Sequence, residues 1–223
     1  MTTKPSALLL DLDGTLIDTA PDMVAAINRL CTESGRLTLE YENAKPHVSN
    51  GSAALVRLAF GNELDAEAFE THRQRFLEIY AEYVCVDSHL FAGMTLVLEH
   101  CADRQIPWGI VTNKPGALTV PLVKALGLTT RAACVVSGDT VAKAKPDPMP
   151  LFYACEQINV DPQQILYVGD SIRDIQAGNA AGMTTIGATY GYIVDGDNPS
   201  DWQADGLITA PTDLLSWLEG TAL

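Results

Sequence analysis

Asp11-Leu12-Asp13-Gly14-Thr15 places two carboxylates two residues apart at the end of the apolar run Ala7-Leu8-Leu9-Leu10. Side chains alternate between the two faces of a strand, so residues two apart share a face. Asp11 and Asp13 are therefore expected in one site at a strand's carboxyl end. Gly14 lets the chain turn sharply and approach a ligand closely. Paired carboxylates hold a divalent cation, or divide the work of nucleophile and proton carrier between them. The pentapeptide alone also fits a plain acidic turn. It does not fit a calcium loop, because Gly14 comes two places early and Asp22, not Glu, stands at the twelfth position.

Three further polar clusters follow short apolar runs. Val111 leads into Thr112-Asn113-Lys114-Pro115, where a hydroxyl, an amide and the start of a helix can hold an anion or simply cap that helix. Lys143-Ala144-Lys145-Pro146-Asp147-Pro148 offers either a lysine fixed by its prolines or a solvated loop. Gly169-Asp170-Ser171-Ile172-Arg173-Asp174 is a second acidic site with its two carboxylates one helical turn apart. Asp170 there is a candidate metal ligand with Asp174 supporting it, or else a helix cap.

The elements that must position these groups are legible from hydrophobic pattern. Ala7 to Leu10, Trp108 to Val111, Cys134 to Val136, Ile165 to Val168 and Thr184 to Ile186 are short runs, apolar on both alternating faces. Parallel strands covered on both sides have that character. Between them, helices are expected from Pro115-Gly116 to near Gly127, from Asp147-Pro148 to about Gln157, and from Arg173 to Ala181, stopped by Gly182. Alternating strand and helix predicts an α/β fold with a doubly wound parallel sheet. Its four polar clusters then converge on one crevice at the strand ends. Two acidic clusters, a hydroxyl and a lysine together compose a phosphoryl-transfer site.

One stretch breaks the rhythm. From Asp18 to about Asp87 the chain reads as helix after helix: Pro21 to Glu33, Tyr41 to His47, Gly51 to Phe60 and Asp65 to Val84, with no strand candidate. The expected division is residues 1–17 and 88–223 as a catalytic core and residues 18–87 as an inserted helical cap, a lid over the crevice. The hinges fall near Leu16-Ile17-Asp18 and Phe91-Ala92-Gly93.

Composition narrows the function classes. The 223 residues carry a formal net charge of −14, which speaks against a nucleic-acid partner or an anionic membrane surface. The same field repels phosphate esters, so a phosphate site must create its own positive potential. Five dispersed cysteines, Cys31, Cys85, Cys101, Cys134 and Cys155, form no Cys-x-x-Cys pair and fit free thiols in a reducing compartment. His47, His72, His89 and His100 lack metal-ligand spacing. The absence of a signal peptide or a bilayer-length apolar run makes the cytoplasm the expected location.

With all four clusters in order, the chain resembles the phosphatases of the haloacid dehalogenase superfamily over essentially its full length. That resemblance implies an aspartyl-phosphate intermediate and Mg²⁺ as cofactor. It implies Asp11 as nucleophile and Asp13 as acid for the leaving alcohol, then base for the hydrolytic water. Thr112 and Asn113 match the motif that binds phosphoryl oxygens, and Lys145, rather than the neighbouring Lys143, matches the lysine that neutralises nucleophile and phosphate. Asp170 matches the second metal ligand alongside Asp11 and the Asp13 carbonyl, and Asp174 its supporting acid. The acid at Asp13 separates a phosphatase from the family's dehalogenases, which have no alkoxide to protonate.

The partner implied is a small phosphorylated metabolite. Val111-Thr112-Asn113-Lys114-Pro115 and Thr189-Tyr190-Gly191-Tyr192 resemble the phosphoglycolate phosphatase branch, the leading expectation. Asp197-Asn198-Pro199, Trp202, Ala204-Asp205 and the run from His89 to Met94 are similar to relatives acting on N-acetylmuramic acid 6-phosphate. A mutase fits less well, because Pro21 lies near where its cap acid/base would stand. In the cap, Ser49, Asn50 and Gly51 are expected to reach the substrate, or to cap the next helix. A receiver domain that accepts one phosphoryl group without turnover is the competing class. Asp139 is its only support, and the helical insertion and the Asp170/Asp174 pair oppose it.

Overall fold

The computed structural model describes residues 4–222. Its main sheet contains β1 (Ala7–Leu10), β4 (Trp108–Val111), β5 (Cys134–Val136), β6 (Ile165–Gly169), β7 (Thr184–Ala188) and β8 (Gly206–Ile208). All neighbours pair in parallel, in the order β5-β4-β1-β6-β7-β8. β1 lies at the centre, with Leu8 opposite Trp108 on one side and Leu166 on the other. The chain fills one side of β1 first and then the other, so the crevice opens at the carboxyl end of β1.

Alternation along β1 divides its burial between two layers. Leu8 and Leu10 join a core with Met94, Val97, Leu122 and Leu214. Those partners come from α5 (Met94–Asp103), α6 (Gly116–Ala125) and α9 (Leu214–Leu218). Ala7 and Leu9 join a second core with Leu151, Ala154 and Ala177. These stand on α7 (Met149–Ile158) and α8 (Ile172–Ala181). Burial of all four β1 side chains, each 0 % exposed, makes this strand a rigid base for the acidic turn after Leu10.

A two-stranded ribbon, β2 (Ile17–Asp18) against β3 (His89–Leu90), carries the chain out of the sheet and back. Between them lie α1 (Ala20–Glu33), α2 (Tyr41–Ala44), α3 (Gly51–Phe60) and α4 (Ala66–Glu82). Ile27, Leu55, Phe76 and Tyr80 bury one another in a third cluster, joined by Leu118 and Tyr192 from the sheet side. The helix expected from Tyr41 to His47 is a single α turn followed by a 3₁₀ segment, Lys45–Asn50. Pro46 lacks the N–H that would continue the α pattern. The strands β2, β3 and β8 and the helices α5 and α9 were not among the expected elements. The two-residue strands are too short to show a period, and only chain crossing pairs them.

Candidate active site

The Asp11 N–H extends the sheet ladder by donating to Val168 O at 2.9 Å. That bond fixes the side chain at the end of β1, where it is 8 % exposed. Asp11 Oδ1 accepts Lys145 Nζ at 2.8 Å. Lys145 arrives from the loop after β5, and its ammonium also reaches Asp174 Oδ1 at 2.6 Å, Val111 O at 2.8 Å and Tyr167 Oη at 2.9 Å. Asn113 anchors this loop: its amide donates to Lys145 O and accepts the Lys145 N–H, both at 2.9 Å. Lys143 points away and pairs at the surface with Asp147.

Asp170 and Asp174 come from the end of β6 and the first turn of α8. Ser171 caps that helix and exchanges a capping box with Asp174, whose Oδ2 accepts the Ser171 N–H at 3.1 Å. The local helix start therefore aims Asp174 Oδ1 at Lys145. Asp170 is fully buried. Its Oδ2 accepts Ser49 Oγ at 2.6 Å and the Tyr192 N–H at 2.8 Å, while Oδ1 is without a partner among the described residues. Gly14, at φ +83°, passes directly against this carboxylate, and a side chain there would collide with it.

Oxygen atoms of Asp11, Asp170 and Asp174 lie within 4.8 Å of one another. One ammonium, Lys145, faces these three buried carboxylates, which leaves two surplus negative charges. Burial, aided by Asp174 and Asp13, pushes Asp11 up to about 6 against the pull of Lys145. Burial also drives Asp170 well above the usual carboxylate range, with Asp11 and Asp174 adding to it. Burial disfavours the charge on Lys145, but Asp11 and Asp174 outweigh it and hold the lysine above its ordinary value. Two surplus charges and the orphaned Asp170 Oδ1, in an all-oxygen donor set, fit a hard divalent cation.

Asp13 sits one turn of the loop away. Its Oδ1 accepts Thr19 Oγ1 at 2.6 Å and Lys114 Nζ at 2.9 Å. Lys114 is buried, with its ammonium 4.5 Å from the centre of the Tyr80 ring. Thr112 is buried, and its hydroxyl accepts the Lys114 N–H at 3.1 Å. Lys114 carries no local sequence signal, because its carboxylate partner stands 101 residues earlier.

The Ser49-Asn50-Gly51 turn overhangs the crevice. Besides the Ser49–Asp170 bond, Arg173 donates to Ser49 O at 2.8 Å and Asn50 Oδ1 at 3.0 Å. Asn50 stands at the N-cap of α3 but makes no side-chain capping bond. Under this turn lies a cavity of about 350 Å³ reached by Asp11, Asp13, Thr112 and Lys145, with Phe76 and Leu118 on its apolar side. Asp139 plays no part in it, accepting instead the Gly116 N–H at the start of α6.

The model of the haloacid dehalogenase-like hydrolases matches residues 8–188. The chain belongs to this family. It is 41% identical over 208 residues to an N-acetylmuramic acid 6-phosphate phosphatase of Pseudomonas putida, covering 93% of either chain. It is 42% identical over 210 residues to a phosphoglycolate phosphatase of Xanthomonas campestris, covering 94% of this chain and 95% of that one. A crystal structure from Haemophilus somnus, described as a predicted phosphoglycolate phosphatase, superposes with a TM-score of 0.85 at 28% identity, covering 96% and 98% of the two chains. The haloacid dehalogenase-like fold thus spans the sheet and the inserted helices alike.

Proposed function

We propose that this protein is a divalent-cation-dependent phosphomonoesterase working through an aspartyl-phosphate on Asp11. The single observation that carries the reading is the 2.8 Å contact between Asp11 and a buried Lys145 at the floor of the crevice. A dianionic phosphate cannot approach a carboxylate unless local positive charge cancels the repulsion. Asp11 attacks phosphorus, the ester P–O bond breaks, and Asp13 gives its proton to the departing alkoxide. Asp13 then takes a proton from water as that water attacks phosphorus, which frees phosphate and restores the Asp11 carboxylate. Lys145 and the Thr112 hydroxyl stabilise phosphoryl oxygens. Asn113 sets the Lys145 loop through its paired main-chain bonds.

A cation, Mg²⁺ by preference, would be held by Asp11, Asp170 and the Asp13 carbonyl, with Asp174 supporting them, and would supply charge neutralisation at the phosphoryl group. Residues 18–87 act as the cap, with Ser49, Asn50 and Gly51 above the substrate. The free thiols fit a cytoplasmic setting.

Between the two esters that the relatives' names suggest, cavity size favours the larger. About 350 Å³ is enough to enclose a sugar-sized ligand. Met23, Phe76 and Leu118 give that space an apolar wall, suited to an acylated sugar more than to the two-carbon phosphoglycolate.

The test is phosphate release from N-acetylmuramic acid 6-phosphate, 2-phosphoglycolate and an aryl phosphate, with and without Mg²⁺. Turnover in the wild type and none in Asp11→Asn is the expected result. A single uptake of phosphate without turnover, or activity that survives Asp11→Asn, overturns the reading.

A further inference from the structure

This acidic chain has only 14 lysines and arginines, yet four of them, Arg73, Lys114, Lys145 and Arg173, line the cavity at the end of β1. Lys145 is matched inside it by Asp11 and Asp174, and Lys114 by Asp13. Arg173 is committed to the Ser49 carbonyl and the Asn50 amide.

Arg73 stands apart. It projects from α4 with Phe76, Leu77 and Tyr80, positions that share one helical face and together wall the cavity. Its Nε donates to Ser52 Oγ at 3.2 Å, and its Nη1 pairs with Glu70, whose side chain is 59 % exposed. Glu70 lies outside the cavity lining, and no cavity carboxylate pairs with Arg73 among the described residues. A surface pair of this kind contributes little and yields readily to a better-placed anion. Lys145 and the Thr112 hydroxyl serve the phosphoryl group, so a further cation on the opposite, inserted wall, left without a carboxylate in the cavity, matches a second negative charge on the ligand. The planar guanidinium fork matches a carboxylate in two parallel bonds.

We propose that Arg73 reads a carboxylate on the organic part of the substrate, so that the site selects phosphomonoesters of carboxylic acids over the same esters without the acid. This rests on the phosphomonoesterase reading and adds to it a specificity-determining residue. The apolar stretch of Phe76 and Leu77 beside the guanidinium holds the carbon skeleton that joins the two anionic ends.

The experiment compares matched pairs. N-acetylmuramic acid 6-phosphate is set against N-acetylglucosamine 6-phosphate, and 2-phosphoglycolate against ethyl phosphate, in wild type, Arg73→Met and Arg73→Lys. The readout is the acid-to-neutral ratio of kcat/KM, which a general loss of folding leaves unmoved because both esters suffer alike. The wild type is expected to prefer the acid in at least one pair. Arg73→Met is expected to cut that preference by about 10- to 100-fold, mostly through KM, with Arg73→Lys between the two. A preference that persists in Arg73→Met overturns the proposal, as does a wild-type ratio near one in both pairs. A wild type inert toward all four esters and toward an aryl phosphate overturns the phosphomonoesterase reading itself, and the proposal with it.

Discussion

Asp22, in the first turn of α1, accepts the hydroxyl of Ser88 at 2.6 Å across 66 residues of chain. The same carboxylate takes the N–H groups of Val86, Asp87 and Ser88 at 2.9 to 3.0 Å. The inserted helices are thereby tied at the point where the chain returns to the sheet. Asp22 is 3 % exposed, so its loss strands the buried N–H and hydroxyl of Ser88. Asp22→Ala is expected to lower unfolding stability by about 3 kcal/mol in urea titration. Asp22→Asn, which keeps one acceptor oxygen, is expected to lose less. Equal losses in the two variants would mean that these bonds do not hold the joint.

The surplus of negative charge around Asp170 has a measurable signature. In chelator, Asp170→Asn removes one of three crowded carboxylates and is expected to melt higher than the wild type. Mg²⁺ at about 100 times its dissociation constant is expected to stabilise the wild type by about 2.7 kcal/mol. That corresponds to a rise of about 5–10 °C in Tm for a chain of this size. The rise is expected to vanish in Asp170→Asn. A variant that keeps the full Mg²⁺ response places the cation elsewhere.

Lys114 orients Asp13 through a 2.9 Å ion pair, together with Thr19 at 2.6 Å. A proton carrier held out of line loses most of its effect. Lys114→Met is expected to reduce kcat by about 100-fold. An intact kcat would show that Asp13 does not need this partner.

Buried thiols make the fold sensitive to alkali. Burial pushes Cys101 up to about 12 and Cys134 and Cys155 up to about 11. In the unfolded chain thiols titrate near about 8.5. A folded pKa above the unfolded one contributes stability that is complete below about pH 8.5 and is lost as pH rises through the folded value. Within that window Cys101 is expected to cost about 1.4 kcal/mol of stability per pH unit. Cys101→Ala is expected to flatten the fall between pH 9 and about 11 in urea titrations, even with lower stability at pH 7. The same slope in both proteins would exclude Cys101 as a contributor.

The sequence alone determined the sheet strands that carry the site, because a buried parallel strand is a local apolar run and the turn after it is a local polar one. Asp11, Asp13, Thr112 and Asp170 lie within such turns, with Lys145 in the loop after β5 and Asp174 in the first turn of α8, so their places near the strand ends were legible without any fold in hand. The family resemblance already pointed to Lys145 rather than Lys143, and tertiary structure supplies the physical difference: Lys145 is buried and reaches Asp11 across 134 residues, while Lys143 pairs at the surface with Asp147. It also placed Lys114, Arg73, Arg173 and Asp22, whose partners or cavity lie beyond the reach of helical or strand periodicity. A charged residue on a helix has the same local pattern whether it faces water or a crevice. The packing of α1, α3 and α4 over the end of β1 makes that distinction, and it arises only when the inserted helices bury their apolar faces together.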